Sequence, residues 1–109
     1  MKWTDKDIVE WHKKTFPDAD LHSQLMKLEE ELKEYKEAYN DIKKRQELAD
    51  VYIVCLVLRK RYKSYIGLFI LQHFFISDRT MEYVYAKMDV NSKRTWVKIN
   101  GVYRHKDKV

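Results

Sequence analysis

The sequence predicts an all-α fold, a four- to five-helix bundle with a short C-terminal β-hairpin. Three observations lead there. Only two glycines and one proline occur in 109 residues, too few for the many tight turns of a sandwich or barrel. Apolar residues make up 45% and charged residues 36% of the chain, enough to bury a core and cover it with charge. Apolar positions recur at helical spacing, and a strand-like pattern appears only near the end. The length suits one domain, residues 1–109.

The elements follow in order. Thr4 or Asp5 can cap a first helix to about Lys14, burying Ile8, Val9 and Trp11, and Phe16-Pro17-Asp18 ends it because the residue before proline avoids the α region. Asp18 or Asp20 then caps a second helix. Its apolar positions Leu21, Leu25, Leu28, Leu32 and Tyr35 step by four and three and form one stripe. Asn40-Asp41 is the break before a third helix: Asn tolerates the left-handed closure and Asp is a good N-cap. That helix runs to about Tyr62. Its middle, Val51 to Leu58, is almost continuously apolar, so it should be central, and Arg59-Lys60-Arg61 marks its solvated end. Ser64 can cap a fourth helix through Phe75, and Asp78 a fifth to about Arg94; the two could be one helix broken near Ser77. Trp96 to Ile99 and Val102 to Arg104 read as short strands around Asn100-Gly101, the dipeptide most favoured in tight hairpins.

Composition also bounds function. The single cysteine, Cys55, cannot form an internal disulfide or a cysteine-based zinc site. The start of the chain is polar and charged, unlike a signal peptide. The longest apolar stretch, Tyr65 to Ile76, is shorter than the roughly 20 residues that span a bilayer. These features suggest a cytoplasmic protein without a membrane partner. So apolar a stretch on a small domain suggests a homo-oligomer that uses it. The net charge of +5 is uneven, with acids prevailing from Glu29 to Glu37 and bases from Arg59 to Lys63 and after Lys87. That division suits a metal and a small phosphorylated ligand better than nucleic acid.

The carboxylates carry the chemistry. Glu31 and Glu34 are three residues apart, and so are Glu47 and Asp50, so each pair shares a helical face. Glu34 and Glu47 lie equally far from the turn at Asn40-Asp41, as do Glu31 and Asp50. An antiparallel helical hairpin therefore brings Glu34 to Glu47 and Glu31 to Asp50. Four converging anions are unfavourable unless cations sit among them. An all-oxygen set suits Mg²⁺, with Mn²⁺ able to substitute, and argues against zinc and against di-iron centres, which use Glu-x-x-His pairs. The alternative is a solvated charged strip with Lys27, Lys33, Lys36 and Lys43 as partners. Further on, Lys87, Asn91 and Arg94 step by four and three and line one face. Their ammonium, amide and guanidinium suit a polyphosphate, though a solvated basic face has the same pattern.

Glu30-Glu31-x-x-Glu34 followed by Glu47-x-x-Asp50 resembles the EExxE…ExxD signature of the all-α nucleoside triphosphate pyrophosphohydrolases, the MazG-like superfamily. Lys87-Met88 with Asn91 and Arg94 is similar to basic and amide positions of that family's last core helix. The resemblance covers about residues 21–96, leaving 97–109 as a tail or hairpin outside the pattern. It implies Mg²⁺-dependent cleavage of a nucleoside triphosphate to the monophosphate and pyrophosphate. Glu31, Glu34, Glu47 and Asp50 would be metal ligands, and Glu30 an orienting group or proton acceptor. Lys87, Asn91 and Arg94 would bind phosphates. It also implies a homodimer or homotetramer, and a base pocket to which Trp11 and Phe16 could contribute.

Other constellations are weaker. His12, His22, His73 and His105 share no ligand spacing and read as surface or packing residues. There is no Gly-rich phosphate loop. A non-catalytic helical interaction module and a basic nucleic-acid binder remain as competing classes. An isolated hairpin is marginal in water, so the tail is expected to pack through Trp96, Ile99 and Tyr103. Folded over the mouth of the site or onto a partner subunit, it would bring Arg104 or His105 near the substrate.

Overall fold

The computed structural model describes residues 2–106, and among them five helices precede one antiparallel hairpin. α1 (Asp5–Thr15) begins at Thr4, whose hydroxyl accepts from the Asp7 N–H while the Asp7 carboxylate accepts from the Thr4 N–H. This reciprocal cap satisfies donors that a helix start otherwise leaves orphaned. Asp20 and Ser23 do the same for α2 (Leu21–Glu37). Asn40 caps α3 (Asp41–Lys60), accepting from the Lys43 N–H at 2.7 Å. Its φ is −148°, so Asn40 is extended and opens α3 rather than closing α2 in a left-handed turn, and Asp41 is the first helical residue.

The segment after α3 departs most from expectation. Lys63 takes the left-handed conformation at φ 58°, and the Ser64 N–H reaches back to the Leu58 carbonyl at 2.9 Å, a wrap that commonly ends helices. Ser64 thus belongs to the closure of α3 and caps nothing. α4 (Ile66–Leu71) is a six-residue helix without a side-chain cap, half the length its apolar run suggested. α5 (Asp78–Asn91) is separate. Ser77, not Asp78, caps it through a reciprocal pair with Thr80. It ends a turn before Arg94. The hairpin pairs β1 (Trp96–Ile99) with β2 (Val102–His105), Trp96 opposite His105 and Ile99 opposite Val102. Asn100 and Gly101 both have positive φ, 52° and 80°, as the type I′ turn requires.

α3 is the axis of the molecule, as its apolar middle predicts. One side, with Ala49, Ile53 and Leu56, packs on Ile8 and Val9 of α1 and Val84 and Met88 of α5. The other, with Val51, Val54, Cys55 and Leu58, packs on Leu28 of α2 and Ile70 and Leu71 of α4. Gly67 is where α4 crosses α3. A Cβ there would lie 2.8 Å from the Cys55 Cα, so only glycine permits that approach. Two expected core positions differ. Leu21, at the open end of the α2 stripe, is 41% exposed, and α1 buries His12 beside Ile8 and Val9 while Trp11 is half-buried. No helix among the described residues is long and apolar enough to cross a membrane.

Candidate functional site

α2 and α3 run antiparallel from the Asn40 cap, and their facing sides carry the acids. Glu31, Glu34 and Glu47 each offer a carboxylate oxygen within 4.8 Å of the others. The predicted meeting of Glu34 with Glu47 is therefore realised. Glu31 and Glu47 are each only 5% exposed, and one Glu47 oxygen, Oε2, is buried without a hydrogen-bond partner. Its other oxygen pairs with Lys43 at 3.2 Å, and Glu31 pairs with Lys27 at 3.4 Å. Asp50 stands beside this trio, 3.3 Å from the Lys87 ammonium on α5.

Burial pushes the Glu47 carboxyl above its ordinary pKa, and the negative charge of Asp50 adds to the rise. Asp50 is likewise pushed up by burial, with Lys87 and Lys27 opposing. A site that strains to keep its carboxylates ionised is one that a cation would relieve. The oxygens are close enough to share a divalent ion, their donor set is that of a hard cation, and one buried oxygen lacks a donor, so the residues fit Mg²⁺ or Mn²⁺.

The acids form one end of a cavity of about 210 Å³. Lys87, Asn91 and Arg94 line it from α5 and the turn that follows, with Arg94 donating to the Asn91 amide oxygen at 3.3 Å. Trp11 and Phe16 line it from α1 and its end, their rings edge to face at 5.4 Å. Thus nine of the ten residues singled out from the sequence face one cavity. Glu30 is the exception. It is absent from the cavity wall, and both its oxygens accept from the Arg104 guanidinium.

That pair belongs to the hairpin. Trp96, Val102, Tyr103 and His105 close the aromatic end of the cavity. Trp96 meets Phe16 at 5.2 Å and Trp11 at 6.1 Å, and Tyr103 meets Phe16 at 4.6 Å. Lys98, at 2.7 Å, and the Tyr103 hydroxyl both donate to Asp18 in the link between α1 and α2. These donors hold Asp18 down at about 2, and Arg104 lowers Glu30. The tail thus packs on the site of its own chain through Trp96 and Tyr103, two of the three expected side chains; Ile99 is not on the cavity wall, and buried Val102 is a further anchor. Arg104 serves as a strap and His105 reaches the cavity.

Two features escaped the sequence reading. Arg61, read as part of a solvated basic end, folds back onto the end of α1 and donates to the carbonyls of Phe16, at 2.9 Å, and Pro17, at 3.3 Å. His12 and Gln24, neither of them singled out as functional, also line the cavity. The signal for His12 was its place four residues after Ile8, on the buried face; nothing in the spacing marked Arg61. Comparison with protein-family models, curated proteins and solved structures finds no match to this chain.

Proposed function

We propose that this chain is a Mg²⁺-dependent nucleoside triphosphate pyrophosphohydrolase of the MazG-like kind, acting on nucleotide pools in the cytoplasm and converting an NTP or dNTP to the monophosphate and pyrophosphate. The observation that carries the reading is the single cavity with three kinds of wall. Buried carboxylates stand at one end, an ammonium, an amide and a guanidinium along one side, and aromatic rings at the other end. These match the metal, polyphosphate and base of one nucleotide in order.

Glu31, Glu34, Glu47 and Asp50 would hold the ion. Bound there, Mg²⁺ or Mn²⁺ would neutralise phosphate charge and lower the pKa of the attacking water. Lys87 and Arg94 would bind the phosphate oxygens, with Asn91 donating a further hydrogen bond, and so stabilise charge on the departing pyrophosphate. Lys87 now balances Asp50, and phosphate would compete for it once the cation takes over that carboxylate. Trp11 and Phe16 would stack on the base, and the hairpin would exclude water from that end. Glu30 acts at one remove, holding Arg104 and hence the hairpin. Tyr65, Phe69 and Phe75 are 63%, 64% and 85% exposed, and this apolar surface supports assembly into a homodimer or homotetramer through α4 and its flanks.

Pyrophosphate release from the common and damaged deoxynucleoside triphosphates, with Mg²⁺ and with chelator, tests the proposal. Mg²⁺-dependent release from at least one of them is expected. Release unaffected by chelator, or no release from any of them, would refute it.

A further inference from the structure

Among the described residues, the cavity wall carries four carboxylates and four cationic side chains, Lys27, Lys43, Lys87 and Arg94, so its formal charges cancel. Each of the three lysines holds one acid. Lys27 lies 3.4 Å from Glu31, Lys43 3.2 Å from Glu47 and Lys87 3.3 Å from Asp50. Lys87 has a phosphate-binding part in the nucleotide reading; Lys27 and Lys43 have none. Helix stability does not account for these two pairs. In both, lysine precedes glutamate by four residues, the less favourable order for such a pair. Lys43 is also the third residue of α3, in the first turn, where the helix dipole disfavours a cation. What each lysine does have is a buried carboxylate to neutralise and a place on the cavity wall. A carboxylate taken out of water needs a compensating charge.

We infer that Lys27 and Lys43 are further phosphate-binding residues, which neutralise Glu31 and Glu47 in the metal-free protein and pass to the oxygens of a polyphosphate when a divalent ion takes those carboxylates. This rests on the nucleotide reading of the cavity and makes its two ligands interdependent. A divalent ion entering alone leaves two ammonium groups without an anion. A polyphosphate entering alone finds those ammonium groups engaged. Together, each supplies what the other displaces, so each strengthens the binding of the other by the same factor. Lysine suits such an exchange, because its compact charge rides on a flexible four-carbon stem and is not tied to one planar geometry.

The test is calorimetric binding of Mg²⁺ alone and, at saturating Mg²⁺, of inorganic tripolyphosphate. Lys27→Met and Lys43→Met keep most of the apolar stem and remove the charge. Each should bind Mg²⁺ alone at least about threefold more tightly than the parent, because a competing cation is gone. Each should bind tripolyphosphate about tenfold more weakly, because a charge-assisted contact is lost. Lys43→Arg, which keeps a cation in place, should leave both affinities near those of the parent. Opposite shifts in the two affinities are a signature that lost folding or a lost surface pair cannot produce. Affinities that stay unchanged, or that fall together, overturn the inference. The α,β-imido analogues of the four common deoxynucleoside triphosphates, at the same Mg²⁺, read the base end separately. If the parent binds them no tighter than tripolyphosphate, the nucleotide reading falls, and the two lysine affinities still decide the exchange. A parent protein that binds neither Mg²⁺ nor tripolyphosphate overturns both.

Discussion

Glu47 concentrates the unfavourable electrostatics of the site. Its carboxyl is buried, pushed up in pKa and close to two other carboxylates. Glu47→Gln keeps its shape and removes its charge. We expect activity to fall at least about 100-fold, while the metal-free protein becomes no less stable. Lys36→Ala, on the exposed side of α2, should change neither. The pH dependence follows from the direction of the shift. A carboxyl whose folded pKa is raised binds its proton more tightly when folded, so it adds stability below its unfolded pKa and loses it as pH rises through the folded value. In chelator, Glu47→Gln should therefore match or exceed the parent at neutral pH, and that advantage should vanish below the ordinary glutamate value of 4.5. Thermal melts of both proteins across pH decide this, and an advantage that grows on acidification would contradict it. Spacing alone revealed the meeting of Glu34 and Glu47, because distance from a hairpin tip fixes height along paired helices. It could not reveal that Asp50 leans to Lys87 or that Arg104 takes Glu30, because those partners come from elements whose placement depends on the whole fold.

At the scale of the element, the hairpin is held by two ion-paired acids whose pKa values are lowered. Such groups stabilise above their unfolded pKa, and the contribution is lost as pH falls through the folded value. Acidification from the ordinary aspartate value of 3.8 toward about 2 should release the hairpin from Asp18. Trp96 fluorescence should report the change, and Asp18→Asn should remove it. Deleting residues 99–109 should raise the Michaelis constant for nucleotide, and an unchanged constant would separate the hairpin from the site. A second test falls on the crossing of α3 and α4. Gly67→Ala forces a methyl group against the Cys55 backbone and should cost about 1–3 kcal/mol by denaturant unfolding. The helices were legible to within about a turn wherever a capping residue meets an apolar stripe, as at Thr4, Asp20 and the turn before α3. α4 was overestimated because its run of apolar residues carries no internal cap or breaker. Its exact ends were set by the wrap at Lys63 and the cap at Ser77. The hairpin was legible because Asn100-Gly101 dictates its own turn.

The whole molecule joins a buried charged site to an apolar outer surface. Tyr65, Ile66, Phe69 and Phe75 are exposed large hydrophobic residues on and around α4, and a second copy is the occupant proposed for them. Sedimentation at micromolar concentration should give a dimer or tetramer, and Phe69→Glu should shift it toward monomer. A monomeric parent protein would contradict the assembly. The all-α architecture with its closing hairpin could be read from composition and periodicity, whereas the aromatic end of the cavity could not, because Trp11, Phe16, Trp96 and Tyr103 are brought together from opposite ends of the chain. The proposed function has this cavity directing water to the α-phosphorus of a nucleotide at a carboxylate-held cation. Phosphorus NMR of turnover in heavy-oxygen water tests it most directly. Label in the monophosphate, unlabelled pyrophosphate, no turnover without Mg²⁺ and turnover at least about 100-fold slower in Glu47→Gln are expected. Label appearing in pyrophosphate or orthophosphate, or near-normal turnover in Glu47→Gln, would contradict it.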